Sequence, residues 1–262
     1  MTADRKDQPL DAIRREIDAI DGELVESLRK RIAASERVRS SKTETGSLAV
    51  SPIRPGREAQ ILRGLVRQAD GSLRPELLVR LWRLILSSST LAQAPVCINL
   101  SKALAAKTDL RIMIAEYFGA MPIEEYDHEA AALACLSSNP GDICVFEPGT
   151  YWPEAYLRGL AGGASVIGTV PAIRAGAQPS LLIMGHALTE PTGQDETLVL
   201  STGSLPRDFS PVPLWQVRTG AHMLSCLPGF LGEGDGPLAA LMRSNAMLGL
   251  RIAGRYPSPI EI

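Results

Sequence analysis

Seven residues in the first ninety-four could act together on a small anion: Arg14, Arg31, Lys42, Arg57, Glu58, Ser89 and Gln93. Arginine pairs bidentately with carboxylates, and lysine supplies a compact point charge. Taken singly, each residue is ordinary, because an arginine on an isolated helix is usually a solvated face residue. Spacing adds to that reading. Arg31 and Lys42 are eleven residues apart, about three helical turns, so they share a face about 16 Å apart, a gap that two long side chains can close around a dianion. Ser89 and Gln93, at i and i+4, also share a face. Arg14 lies about 25 Å from Arg31 along the same helix, too far for both to grip one metabolite within one chain. If both are used, a second protomer supplies one of them.

The elements that must position these residues follow from periodicity. Leu10, Ile13, Ile17, Ile20, Leu24 and Leu28 recur at steps of three and four, which predicts a helix with one apolar stripe running to about Gly46. Some thirty residues span about 45 Å, too long for a small domain to cover the stripe, so the helix needs a partner. Residues 47–56, with Pro52 and Pro55, read as a loop. Arg57–Gln68 reads as a second helix, and Pro75–Gln93 as a third with Leu77, Leu81, Leu84, Ile85 and Leu91 inside.

The remainder differs in kind. Residues 1–94 hold 17 Lys and Arg against 13 Asp and Glu, net +4, whereas 95–262 hold 10 against 16, net −6; the chain as a whole is at −2, which gives no support for a nucleic-acid partner. The front part has 4 of the 19 prolines and 5 of the 23 glycines, and none of the 4 cysteines or 3 histidines, so helices are expected in front and a turn-rich region behind. Beyond Ala94-Pro95, β-prone runs at 111–115, 143–146, 165–170, 180–184 and 197–200 alternate with helical stretches at 128–137 and 153–160. That alternation predicts an α/β domain, a mixed sheet flanked by helices. The division expected is therefore 1–94 and 95–262. Cys97, Cys135, Cys144 and Cys226 lack a C-x-x-C spacing and read as reduced thiols. No apolar segment follows the charged Met1–Asp7 start and no run reaches a membrane span, so a cytoplasmic location is expected.

The sequence from Leu10 to Asp21 (LDAIRREIDAID), the Arg31 to Lys42 spacing, Arg57-Glu58 and Ser89-Thr-Leu-Ala-Gln93 together resemble the all-helical class of chorismate mutases. The resemblance covers residues 8–94 and implies conversion of chorismate to prephenate, in phenylalanine and tyrosine biosynthesis, by an intertwined homodimer of three-helix protomers. Carried over position by position, Arg14 of the other subunit and Arg31 resemble the carboxylate-binding arginines. Lys42 and Gln93 resemble the pair that hydrogen-bonds the ether oxygen. Glu58 resembles the acceptor of the ring hydroxyl, with Arg57 beside it, and Ser89 the hydroxyl lining the substrate carboxylate. Arg54 stands where some members carry an acidic residue. The rearrangement is pericyclic and calls for no metal or cofactor; it needs a conformational clamp and donors at the oxygen where negative charge grows. An isochorismate pyruvate-lyase on the same scaffold is the nearest rival.

Residues 95–262 resemble a diverged prephenate dehydratase module, which implies a two-lobed, periplasmic-binding-like fold. Gly141-Asp-Ile-Cys-Val-Phe-Glu-Pro148 resembles a strand of that family, and Gln194–Leu200 falls where its Thr-Arg-Phe segment would stand. Thr-Arg-Phe itself is absent, as is a Gly-Pro-x-Gly-Thr opening. A bifunctional mutase and dehydratase, or an aromatic amino acid effector acting through this domain, are the further readings. His128 reads as a helix-start residue near solvent, His186 and His222 as structural, and Glu190–Asp195 as turn chemistry.

Overall fold

In this computed structural model the described residues are 10–44, 51–69, 71–234 and 236–262; of 38–44 only the backbone is described. The charged start before Leu10, the expected helix break at Gly46 and the first part of the 47–56 loop lie outside them. The chain divides into two compact units, residues 1–48 and 49–262.

The first unit is one helix, α1 (Leu10–Glu44), 35 residues long. Its apolar residues keep their helical spacing, and Leu10, Ile13, Ile17, Ile20, Leu24 and Leu28 are 40–61% exposed. A helix this long is sustained by local propensity, and its stripe is left without the burial that normally stabilises an amphipathic helix.

The second unit opens with α2 (Pro55–Gln68) and α3 (Pro75–Gln93). Each starts with proline at its first position, after a non-helical residue, Arg54 or Arg74; proline has no N–H to leave unpaired there and its φ already suits a helix. That is why α2 begins two residues before the expected Arg57. On α3 the buried stripe is Leu78, Val79, Arg83, Leu86, Ser87 and Thr90. The expected inner residues Leu77, Leu81 and Leu84 are instead 43–45% exposed, because the face two positions further along the helix, Val79, Arg83 and Leu86, packs on the unit.

The α/β region follows as β1 (Ile98–Ser101), α4 (Lys102–Ala105), α5 (Thr108–Phe118), β2 (Ile123–Tyr126), α6 (Glu129–Ser138), β3 (Ile143–Phe146), α7 (Trp152–Leu157), β4 (Ser165–Val170), β5 (Leu181–Gly185), β6 (Asp195–Ser201), β7 (Trp215–Thr219), β8 (His222–Pro228), α8 (Gly236–Ser244), a 3-10 turn at Ala246–Leu248, and β9 (Arg251–Pro257). The expected strand at 111–115 is a helix, α5. Leu110, Ile114 and Phe118 recur every four residues and are all buried, a period that a strand cannot satisfy.

The strands form one nine-stranded mixed sheet in the order β2-β1-β3-β5-β4-β9-β6-β8-β7. β1 is parallel to β2 and β3, β5 is antiparallel to both β3 and β4, and β9, β6, β8 and β7 are antiparallel in turn. The two halves meet where β4 runs parallel to β9, paired at Val166 and Gly254. A Cβ on Gly254 would lie 2.0 Å from the Val166 carbonyl oxygen, so only glycine allows this approach.

Alternation divides the core. Cys144 and Phe146 of β3, with Leu182 and Met184 of β5, join Leu133, Leu136, Trp152, Leu200, Trp215 and Tyr256 on one face. Ile143, Val145, Leu181 and Ile183 point to the other, against Ile114 and Phe118 of α5. A third cluster, with Val199, Leu227, Leu238 and Leu250, lies under α8. Each large side chain fully buried in these clusters contributes about 1.5–3 kcal/mol of transfer free energy. No helix among the described residues is long and apolar enough to cross a membrane.

Candidate active site

Arg14 and Arg31 are carried by α1. Arg14 Nη1 lies 3.4 Å from Asp11 Oδ1, an exposed i,i+3 pair of little energetic weight. The Arg31 carbonyl accepts from the Ser35 hydroxyl at 3.2 Å. The Lys42 side chain lies outside the described residues; its backbone is in the last turn of α1.

The other candidates stand on α2 and α3. Arg57 is exposed, as is Arg54, whose carbonyl accepts from the Glu58 amide at 2.9 Å as α2 begins. Ser89 is buried on α3 and its hydroxyl donates to the Ile85 carbonyl at 2.8 Å. One turn on, Gln93 Nε2 donates to the Ser89 carbonyl at 3.2 Å. The structure thus stacks Ser89 and Gln93 on one helix face, as their spacing requires.

Glu58 is held in an ion pair that the sequence did not announce. Its Oε2 accepts from Nη1 of Arg83 at 2.6 Å, with side-chain exposures of 15% and 7%. The Arg83 guanidinium carbon sits 3.7 Å from the centroid of the Tyr117 ring on α5, and its Nε donates to the Tyr117 carbonyl at 3.4 Å. The Ser87 hydroxyl donates to the same carbonyl. Burial alone would lower the pKa of Arg83, but Tyr117 and the Glu58 carboxylate together carry it above its usual value. Burial pushes the Tyr117 phenol up, against the pull of Arg83. Glu58, Arg83 and Tyr117 line a cavity of about 60 Å³ whose other walls include Ile53, Leu62 and Ile167. One signal for Arg83 was present in the sequence: Val79, Arg83, Leu86 and Thr90 follow one helical stripe, so Arg83 occupies a core position.

Elsewhere the polar groups hold the fold. Arg63 of α2 donates to the Thr192 hydroxyl and to the carbonyls of Gln194 and Ser258. The Asp195 carboxylate accepts from the amides of Thr192 and Gly193, the turn chemistry expected of that stretch. Buried Glu196 receives Arg174 at 2.5 Å and the Cys226 thiol at 3.2 Å. His128 caps α6, its Nδ1 accepting from the Ala131 amide, and His186 contacts the Leu136 carbonyl through Nε2. All four cysteines are free, with Cys144 and Cys226 buried. Among the described residues no group of three or more His, Cys, Asp or Glu is placed to hold a metal ion.

Residues 13–94 match the family Chorismate mutase type II. No curated protein matches the chain. Among solved structures it is similar to one described as "GqqA- a novel type of quorum quenching acylases", at 12% identity and a TM-score of 0.39, covering 62% of this chain and 95% of that one.

Proposed function

We propose that this enzyme, an isomerase whose residues 13–94 are a chorismate mutase type II domain, converts chorismate to prephenate. The observation that carries the reading is the extent of that match, which takes in Arg14, Arg31, Lys42, Arg57, Glu58, Ser89 and Gln93 together.

The chemistry asks for these residue types. The substrate rearranges internally, so no nucleophile or proton shuttle is required. Arg31 and the partner's Arg14 would grip the two carboxylates and hold the compact conformer, removing entropy from the barrier. Ser89 would line the same end, and Arg57 would stand beside Glu58. Lys42 and Gln93 would donate to the ether oxygen as the C–O bond lengthens and negative charge collects there. Glu58 would accept from the ring hydroxyl.

The composite site presupposes a homodimer. Supporting it is the row from Leu10 to Leu28 on α1, at least 40% exposed throughout, which a second copy of the same helix would cover. The functional boundary is placed at residue 94. The region behind it is read as a diverged, dehydratase-like module on the strength of the Gly141–Pro148 segment, although its strands form one continuous nine-stranded sheet over a shared core rather than two separate sheets. Lacking the Thr-Arg-Phe segment, it serves stability or regulation, with aromatic amino acids as the effector class. A cytoplasmic enzyme of aromatic amino acid biosynthesis is the setting this implies.

The test is product analysis on the full chain with each of two substrates. Prephenate from chorismate, with no pyruvate released from isochorismate, is expected. Pyruvate from isochorismate without prephenate from chorismate would replace this reading with the lyase, and onward formation of phenylpyruvate would show a working dehydratase. A thermal shift with phenylalanine or tyrosine tests the effector role, which its absence together with unchanged turnover would remove.

A further inference from the structure

Glu58 stands on α2, yet what fixes its carboxylate comes from elsewhere. A glutamate has three side-chain torsions, and an acceptor that must meet one hydroxyl in one geometry loses much of its value if it wanders. Here Oε2 is held by Arg83 at 2.6 Å, while Oε1 makes no hydrogen bond among the described residues. Arg83 is in turn fixed in plane and position: its guanidinium lies 3.7 Å from the centroid of Tyr117 and its Nε reaches the Tyr117 carbonyl. Charged groups stacked on aromatic rings and excluded from water are held more firmly than exposed ones. Tyr117 belongs to α5, beyond the 13–94 match, and α5 is itself anchored by Leu110, Ile114 and Phe118 in the core of the α/β region.

We propose that Arg83 and Tyr117 are positioning residues for Glu58, so that the appended α/β region completes the mutase site through Tyr117 rather than merely accompanying it. The inference rests on the reading of Glu58 as the acceptor of the substrate's ring hydroxyl. Arg83 occupies one oxygen of the carboxylate and leaves the other for the substrate, and the Tyr117 ring keeps the guanidinium from swinging away. Both act through Glu58 and neither touches the substrate.

The experiment is a double-mutant cycle on the full chain, with chorismate as substrate and thermal midpoints recorded for every variant. Glu58→Gln is combined with Tyr117→Leu, which removes the ring, and separately with Arg83→Lys, which keeps the charge but not the planar fork. Tyr117→Phe retains the ring and serves as the mild variant should Tyr117→Leu fold poorly. Tyr117→Leu is expected to lower kcat/KM about tenfold in the wild-type background and less than twofold when Glu58 is already glutamine, because residues acting through one group are non-additive. Arg83→Lys is expected to show the same dependence on Glu58, and Tyr117→Phe to lose less than threefold. Equal losses with and without the Glu58 carboxylate would overturn the proposal, since they would mark a general packing effect. Should Tyr117→Leu not fold, a Tyr117→Phe loss as large as that of Glu58→Gln would overturn it as well. Unchanged turnover in Glu58→Gln alone identifies the separate failure of the Glu58 reading, and the inference falls with it.

Discussion

Replacing Arg83 with methionine leaves the Glu58 carboxylate facing the core without its counter-charge. The magnitude follows from the geometry. At 2.6 Å the gross attraction is about 6 kcal/mol in an effective dielectric near 20, most of it cancelled by the cost of bringing both groups out of water. Removing one partner forfeits the attraction while the desolvation cost of the other remains, and such losses run at about 3–5 kcal/mol. Because Glu58 retains 15% exposure and water can reach it, the lower end applies, about 3 kcal/mol. Loss of the contact with the Tyr117 face adds up to about 1 kcal/mol. For a chain of this size that total lowers the melting temperature by roughly 6–16 °C. The assay is thermal and urea denaturation of the full chain followed by circular dichroism, with Arg80→Ala as the control. Arg80 pairs with Glu116 at 3.7 Å, but with exposures of 67% and 51%, and its removal is expected to cost less than about 1 kcal/mol. The double variant Glu58→Leu/Arg83→Met should recover much of the loss, since no charge is then left buried. An Arg83→Met variant no less stable than Arg80→Ala would show that the ion pair with Glu58 does not stabilise the fold.

Two further predictions rest on titratable groups. Burial, with Glu124 and Asp142 nearby, pushes the Cys97 thiol up to about 11, so at pH 8 it is almost wholly protonated. Iodoacetamide should modify Cys97 far more slowly in the native chain than in urea, as peptide mass mapping will read; equal rates contradict the assignment. Glu129 is raised from its ordinary 4.5 by burial, against opposing hydrogen bonds from Thr150, Tyr151 and Trp152. The folded chain therefore binds this proton more tightly than the unfolded chain, and the stability it contributes at low pH is lost as pH rises from about 4.5 through the raised folded value. Glu129→Gln is expected to raise the melting temperature relative to wild type at pH 7, with the advantage vanishing by pH 4. A difference independent of pH would count against it.

The helical half of the fold was legible because its signals are local. Pro75 opens α3 where the sequence indicated, the apolar period from Leu10 to Leu28 runs through about five turns of α1, and α3 spans the residues its periodicity indicated, whereas Pro55 opens α2 from within the stretch that reads as a loop. The face of α3 was not legible. Leu77, Leu81 and Leu84 looked like the inner stripe, and an arginine among leucines looked like a solvated one, yet it is the Arg83 side that packs against α5. The non-local ion pair to Glu58, with the Tyr117 ring and carbonyl, makes a buried arginine tolerable there. The 111–115 run within α5 reads as a strand because five residues containing Ile112 and Ile114 fit either period; Phe118, four residues after Ile114, decides it. β7 and β9 gave little signal. Arg218 interrupts one, which pairs with β8 across the tight Gly220-Ala221 turn, and Gly254 and Pro257 interrupt the other, whose antiparallel partner β6 lies some fifty residues back in the chain. Among the candidate site residues, the Ser89 and Gln93 pair was readable from spacing alone, whereas what surrounds Glu58 required the tertiary structure.

On the proposed function, arginines clamp chorismate and Lys42 is the principal donor to its ether oxygen. Steady-state kinetics of prephenate formation by the full chain and by Lys42→Ala test it most directly. Mutase turnover is expected in the wild type, with a loss of roughly 10²–10³-fold in kcat in the variant, the scale set by removing one pre-organised donor from a developing negative charge. The helical circular dichroism signal should be retained. Near-wild-type turnover in Lys42→Ala, or no prephenate from the wild-type chain, would contradict it.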